Sequence, residues 1–552
     1  MSRSVSLRTW QHEALEAFTD RTRPSFLTVA CPGAGKTTFA LAAARQHFRG
    51  ELLPLVVVVP TQHLKRQWAE SAGRLGLHLD PGWSADSGRL PADMHGIVVT
   101  YAQAASSAGT LRAHCRDGFV ILDEVHHAAS DKTWGDGVER AFALAERRLL
   151  LSGTPFRTDH NPIPFVNYSF GDHGDAEPDY EYGYGEALES GGVVRPVFFP
   201  RFDGHMEWVN TDGDNVEGTF DDDLIKSEWG SRLRTALNLG GQWLPTVLGH
   251  AHDRLSHIRA KHPDAAGLVI AIDQEHARGI ATMLAERHGV KAKVALSDDP
   301  KASDVIADFA AGDDEWVVAV RMISEGVDIP RLRVAVFATT TTTPMFFRQA
   351  VGRIARWTPG LRSQRAYMFL PDDPRLRHHA NAIAVARRHS IEFRRKRLEE
   401  SGLDDDPYRT ARDEEQMSLF TAVSSTVLTD GPEGSGPADG LDPDEDLLGR
   451  PDDLEGHVVE LPPPPPLPGQ PGINGGVPAG LAGIRTRQQD KKDLRDFNAQ
   501  RVRELVRSTG MTHAAINGEL NRQAGIDRIT EATVAQLRRR LEAADRWLDD
   551  AG

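Results

Sequence analysis

The stretch Phe26-Leu27-Thr28-Val29-Ala30-Cys31-Pro32-Gly33-Ala34-Gly35-Lys36-Thr37-Thr38 decides the fold. Its first five residues are mostly apolar and read as a buried strand, and its last two open a helical pattern over Thr37–Phe48. Between them, glycines let successive backbone N–H groups curl around a phosphate, and the helix N-terminus adds partial positive charge. The spacing gives Gly33, Ala34 and Gly35 to the cradle, Lys36 to the β- and γ-phosphates, and the Thr37 hydroxyl to Mg²⁺, with Thr38 beside it. ATP and Mg²⁺ are therefore the expected ligands. Ala30 stands where the general pattern has glycine, and Cys31 reads as a packing residue. A chance glycine-rich turn is the competing reading, and the residues farther along decide between the two.

Working outward, the same alternation recurs. Apolar runs at Leu55–Val59, Ile97–Thr100, Phe119–Leu122 and Leu149–Leu151 lead into turns and then helical segments such as Gln62–Leu75. Strands alternating with helices build βαβ units and a parallel sheet. A second series follows at Gly267–Ile272, Lys293–Leu296, Trp316–Val320, Val334–Ala338 and Ala366–Leu370. The expected fold class is α/β with parallel sheets in two lobes, over residues 1–200 and 201–400. Residues 160–260, richer in Asp, Gly, Tyr and Trp, connect the two series without a pattern that fixes their elements.

The second chemical constellation is Phe119-Val120-Ile121-Leu122-Asp123-Glu124-Val125-His126-His127. An apolar strand delivers two carboxylates at its C-terminal end, where ligands bind in open α/β sheets. Asp123 is expected to hold Mg²⁺ through water and Glu124 to polarise the attacking water. His126 is a candidate link from the γ-phosphate to the neighbouring lobe, whereas His127 reads as a solvated or packing residue.

The third is Arg348-Gln349-Ala350-Val351-Gly352-Arg353-Ile354-Ala355-Arg356 in the second series. Arg353 and Arg356 are three apart, so on one helix they share a face. With Gln349 they form a candidate catalytic set, the two arginines stabilising charge on a γ-phosphate. A solvated basic helix is the alternative.

Composition excludes several classes. Two cysteines, Cys31 and Cys115, cannot build a disulfide framework or a four-cysteine metal site, and this usage fits a reducing cytoplasm. No apolar run approaches membrane-spanning length, so no membrane partner is expected. The net charge of −15 is local: residues 403–460 hold 17 Asp/Glu against 3 Arg, leaving the rest close to neutral. Residues 401–484 are acidic and Gly/Pro-rich and read as a disordered or extended linker. Helical periodicity returns over 485–548, which carries 14 Lys/Arg and 9 Asp/Glu, so 485–552 reads as a small separate helical module.

Taken together, these motifs resemble the superfamily 2 DEAD/DEAH-box helicases. The group most similar holds the ATPase subunits of restriction enzymes (ResIII) and the XPB-type translocases. The resemblance covers about residues 1–385 and implies two RecA-like P-loop NTPase lobes sharing one ATP site. It further implies that Leu7-Arg8-Thr9-Trp10-Gln11 recognises adenine, with Arg8 and Gln11 as nucleotide contacts and Gln11 as base reader. Val59-Pro60-Thr61 and Val99-Thr100-Tyr101 resemble loops that touch the nucleic-acid backbone, so Pro60, Thr61 and Thr100 are implied contacts. Ser152-Gly153-Thr154-Pro155 resembles the motif coupling hydrolysis to strand movement. Arg321-Met322-Ile323-Ser324-Glu325-Gly326-Val327-Asp328 resembles the second-lobe loop facing both ligands, with Ser324 toward nucleic acid and Gly326 and Asp328 toward ATP. The sequence departs from the family box in reading Asp-Glu-Val-His.

The resemblance implies an ATP-dependent DNA helicase or double-strand DNA translocase, with an RNA helicase and an ATP-switched clamp as alternatives. DNA is the favoured partner because the likeness is to restriction-type ATPases. No nuclease arrangement is visible, so a restriction, defence or repair role needs a partner subunit for cleavage. The helical module is either a nucleic-acid or partner-binding piece or a helical cap.

Overall fold

The computed structural model describes residues 3–551 apart from 50, 52, 88–89, 92, 130–131, 154–162, 170–175, 210–214, 223–227, 297–301, 321–328, 359, 362–363, 401–456 and 468–486. The chain divides into two compact units. The first comprises Met1–Val29, Gly35–Glu181 and Glu455–Gly552, and the second Ala30–Ala34 and Tyr182–Leu454. Residues 1–182 supply strand β1 (Arg3–Leu7), helix α1 (Thr9–Asp20), β2 (Ser25–Ala30), α2 (Lys36–Phe48), β3 (Leu55–Val59) and α3 (Gln62–Arg74). They continue through β4 (Leu79–Asp80), β5 (Gly96–Thr100), α4 (Tyr101–Ser106), β6 (Phe119–Leu122), β7 (Arg147–Ser152) and β8 (Tyr180–Tyr182). The middle of the chain adds α5 (Tyr184–Ser190), β9 (Val197–Phe198), β10 (Arg201–Phe202), β11 (Ala266–Ala271), β12 (Lys293–Ala295) and β13 (Trp316–Val320). After these come β14 (Leu332–Ala338), α6 (Pro344–Ile354), β15 (Ala366–Pro371) and α7 (Pro374–Glu400). The C-terminal part contains β16 (His457–Leu461) and helices α8 (Arg487–Thr509), α9 (His513–Ala524) and α10 (Val534–Ala551).

The first sheet has the order β4-β5-β3-β6-β7-β2-β8. Its central strands run parallel, with Leu55 opposite both Gly96 and Phe119. A parallel sheet is covered on both faces, which is why Leu55-Val56-Val57-Val58-Val59 is apolar throughout and fully buried. One core side gathers Val56, Val58, Ile97, Val99, Val120, Leu122 and Phe142. The alternation of strand and helix leaves the C-terminal ends of β2, β3 and β6 along one edge, and the candidate site lies there.

The second sheet has the order β9-β15-β14-β11-β13-β12, with β10 also paired to β15. Strands β11, β13 and β14 pair in parallel, and their apolar faces bury Val269, Val318, Val336 and Trp316. The two sheets therefore bear out the expected α/β class and its two parallel-sheet lobes. The region that gave no sequence pattern contains a hairpin, Met206–Val209 with Asn215–Gly218, and helices Trp229–Ala236 and Trp243–Arg259.

The expected domain limits differ from those observed. The junction between units falls at Glu181/Tyr182 rather than at residue 200, and the C-terminal part from Glu455 belongs to the first unit. Within the expected linker, His457–Leu461 is a strand paired antiparallel with β1, Arg3 opposite Leu461 and Leu7 opposite His457. The physical reason is an unpaired β1 edge, whose N–H and C=O groups His457-Val458-Val459-Glu460-Leu461 satisfies. The helical module has its own core of Val502, Leu505, Ile516, Leu520, Ala543 and Ala544. Arg540, 1% exposed, ties its helices together by donating to the side-chain oxygens of Asn498 (2.9 Å), Asn517 (2.6 Å) and Asn521 (2.9 Å). This module is not separate: Lys491 forms a buried 2.8 Å ion pair with Asp93 of the first sheet's connecting loop. Among the described residues, no helix is long and apolar enough to cross a membrane.

Candidate active site

The glycine loop leaves β2 and enters α2 as the sequence pattern requires. Gly33 and Gly35 adopt φ of +85° and +96°, a left-handed backbone that side chains rarely tolerate. At Gly35 space is also short, because an added Cβ would lie 2.6 Å from Nε2 of Gln11. Gln11 is 3% exposed and uses both ends of its amide: Nε2 donates to the Gly35 carbonyl at 2.9 Å, and Oε1 accepts from Arg8 N–H at 2.9 Å. The residues expected to read adenine are thus seated against the phosphate loop. Lys36, Thr37 and Thr38 form the first turn of α2, and Cys31 is buried as packing.

Strand β6 delivers the carboxylates. Glu124 adopts φ +49°, a strained conformation for a residue with a side chain, which turns the chain sharply at the strand's end. Its carboxylate lies 3.5 Å from Lys36 Nζ, accepts the Gly153 N–H at 3.1 Å, and lies 3.7 Å from His126 Nδ1. Burial opposes its charge, but Lys36, His126 and the Gly153 N–H together hold its pKa below the ordinary carboxylate value. Asp123 behaves oppositely. Burial, then the neighbouring Glu124 charge, push its pKa up, against weaker relief from Lys36 and Trp68.

Two residues outside the sequence candidates complete the arrangement. The Trp68 indole N–H, from the buried face of α3, donates to Asp123 Oδ2 at 2.8 Å. The Tyr101 hydroxyl donates to the Asp123 backbone carbonyl at 2.9 Å. A buried indole N–H needs an acceptor, which is the one signal that points to Trp68. Nothing in the sequence selects Asp123 as that acceptor.

The remaining candidates divide. Ser152 is fully buried, and Gly153 reaches Glu124 through its N–H. Pro60 and Thr61 form the turn between β3 and α3. Thr100 caps α4, its hydroxyl accepting the Gln103 N–H at 3.2 Å. Thr154, Ser324, Gly326 and Asp328 lie outside the described residues.

In the second unit, Gln349 and Arg353 sit on α6, Arg353 only 9% exposed. Arg356 corrects the expectation of a shared helical face. The helix ends at Ile354, and Arg356 instead forms an antiparallel bridge with Val194. The cause is the adjacent Arg195, whose N–H takes the Ala355 carbonyl at 2.7 Å and whose buried guanidinium donates to Pro330 O and Thr358 Oγ1. Gly352 has no room for a side chain, since a Cβ there would meet Pro32 at 2.5 Å, both residues belonging to this unit.

The donor set suits a magnesium nucleotide: a glycine cradle closed to any Cβ at Gly35, an ammonium, a hydroxyl and two carboxylates of contrasting acidity.

Residues 4–157 match the family described as type III restriction enzyme, res subunit, and residues 251–358 match the helicase conserved C-terminal domain. The chain is 38% identical over 557 residues to "Uncharacterized protein MT2985" of Mycobacterium tuberculosis (strain CDC 1551 / Oshkosh), covering 97% of this chain and 92% of that protein. It is 32% identical over 165 residues to the DNA 3'-5' translocase XPB2 of Sulfurisphaera tokodaii, covering 29% of this chain and 34% of that one. Among solved structures, S. cerevisiae Dbp5 bound to RNA and ADP BeF3 is 15% identical with a TM-score of 0.46, covering 68% of this chain and 87% of that one. The chain belongs to the family of the mycobacterial protein MT2985 and is a superfamily 2 helicase-like protein with two RecA-like lobes.

Proposed function

We propose that this chain hydrolyses ATP to move along DNA, as a helicase or double-strand translocase. The observation that carries the reading is the contact set around Glu124, which gathers Lys36, His126 and the Gly153 N–H on one carboxylate. In this reading Lys36 and Thr37 hold the phosphate end, while Arg8 and Gln11 hold the base. Glu124, kept ionised by Lys36 beside it, takes a proton from the attacking water. Gly153, in the segment expected to couple hydrolysis to movement, senses the same carboxylate directly. Mg²⁺, when bound through Thr37 and Asp123, supplies charge neutralisation at the phosphates. By resemblance, Arg353, Arg356 and Gln349 of the second unit are the candidates for transition-state stabilisation.

Support for DNA comes from the restriction-subunit family match over 4–157 and the likeness to a DNA translocase. Nucleic acid would be gripped largely through phosphates, with Pro60, Thr61, Thr100 and Ser324 as first contacts, so binding weakens as salt rises. The test is ATP turnover of the full chain with duplex DNA, single-stranded DNA and RNA. Stimulation, greatest with DNA, supports the reading. Greatest stimulation by RNA would move the chain to the RNA class, and a rate indifferent to all three would remove the motor function.

A further inference from the structure

The C-terminal strand and the prolines after it run behind the candidate nucleotide site and touch both elements that carry it. Strand β16 pairs along the whole of β1, and β1 leads directly into Arg8 and Gln11. The His457 ring stacks on His12 of α1, centroids 4.7 Å apart. Beyond β16, the Pro462 carbonyl accepts from Arg45 Nε at 3.0 Å, and the Leu461 carbonyl lies 3.4 Å from Arg45 Nη2. Arg45 is fully buried near the end of α2, the helix that begins with Lys36. A buried guanidinium deprived of acceptors is costly, so strap and helix are bound to one position. Ala40, Leu41, Ala42, Ala43 and Ala44 of α2 are each fully buried, leaving the helix no slack to absorb a shift. A displacement at Arg45 therefore reaches Lys36, about 13 Å away at 1.5 Å per residue.

Farther along, the Pro465 carbonyl pairs with His95 Nε2 at 2.9 Å, and Pro464 packs over Gly76 at the end of α3. The loop that carries His95 also anchors the helical module. Asp93 is the latch: one carboxylate oxygen pairs with Lys491 Nζ at 2.8 Å, and the other accepts the Val534 N–H at 2.9 Å, capping α10. Both side chains of the ion pair are buried, Asp93 6% and Lys491 4% exposed.

We propose that residues 457–467 are a positioning strap for the nucleotide pocket, seated from behind on β1 and Arg45 and kept in place by the Asp93–Lys491 latch. The strap touches no reacting group. It sets where Arg8, Gln11 and Lys36 stand, and so governs nucleotide affinity more than the chemical step. This proposal rests on reading that pocket as the ATP site.

The experiment compares the full wild-type chain with Lys491→Met, which opens the latch but keeps the apolar stem. A second variant, Val459→Pro, removes a strand N–H from β16. ATP turnover is measured against ATP concentration at saturating nucleic acid, with melting curves recorded to confirm folding. The expected result is a KM for ATP raised about tenfold in each folded variant, with kcat kept within about twofold. A merely structural role would lower kcat with the folded fraction and leave KM alone. An unchanged KM in folded Lys491→Met overturns the proposal, whatever the fate of Val459→Pro. A wild-type chain without ATP turnover overturns the ATP-site reading itself, and the proposal with it.

Discussion

The indole N–H of Trp68 donates to Oδ2 of Asp123 at 2.8 Å, with both side chains buried. A tryptophan in the middle of α3 thus orients the carboxylate assigned to Mg²⁺. Trp68→Phe keeps the ring packing and removes the donor. A hydrogen bond to a charged group contributes about 1.5–3 kcal/mol, so ATP turnover at limiting Mg²⁺ should fall about tenfold or more. Titrating Mg²⁺ should shift the half-maximal point upward. An unchanged Mg²⁺ dependence would detach Trp68 from the site.

Asp123 also carries a stability cost. Burial and the Glu124 charge raise its folded-state pKa, so its contribution to stability is complete below the ordinary carboxylate value and is lost as pH rises through the raised one. At pH 7–8, without nucleotide or Mg²⁺, the charged form therefore works against the fold. Asp123→Asn, which keeps an acceptor for Trp68, should be more stable there by on the order of 1–3 kcal/mol while losing activity. Melting temperatures across pH 4–8 check this. A variant less stable than wild type at pH 8 would contradict it.

Gly35→Ala should damage nucleotide binding specifically. The left-handed φ of +96° costs a side-chain residue about 1–2 kcal/mol, and the new methyl displaces the Gln11 amide from the loop. Nucleotide affinity, read by equilibrium titration, should weaken about tenfold or more. Wild-type affinity would show that Gln11 does not need its present seat.

The two arginines should separate on truncation. Arg353 is buried in α6, so Arg353→Ala should cost both turnover and stability. Arg356 is half-buried and held through its backbone at Val194, so Arg356→Ala should leave the melting temperature nearly unchanged. Each should lower kcat by about a thousandfold or more with nucleotide binding retained. Normal kcat in both variants would return this segment to a purely structural role.

Much of this fold was legible because parallel strands covered on both faces must be apolar throughout, as Leu55–Val59 and Trp316–Val320 are. Lys36, Asp123 and Glu124 were legible because phosphate chemistry confines them to strand ends and a glycine turn. Other features depend on distant neighbours. Arg356 leaves its helix because Arg195, far upstream, captures the Ala355 carbonyl. The strap hid in its composition: the five residues His457–Leu461 stand between an acidic stretch and five prolines without strict alternation, and the edge of β1 gives them a partner. Asp93 and Lys491 show the same limit, since neither charge marks the other across 398 positions.

Movement along DNA is tested most directly by displacement of a labelled third strand from a duplex track. With the full chain and ATP, the third strand should be released at a rate that rises with ATP concentration. Glu124→Gln should bind the same track and release nothing. Release at equal rates by wild type and Glu124→Gln, or none by a wild type whose ATP turnover the duplex stimulates, would contradict the coupling of hydrolysis to movement.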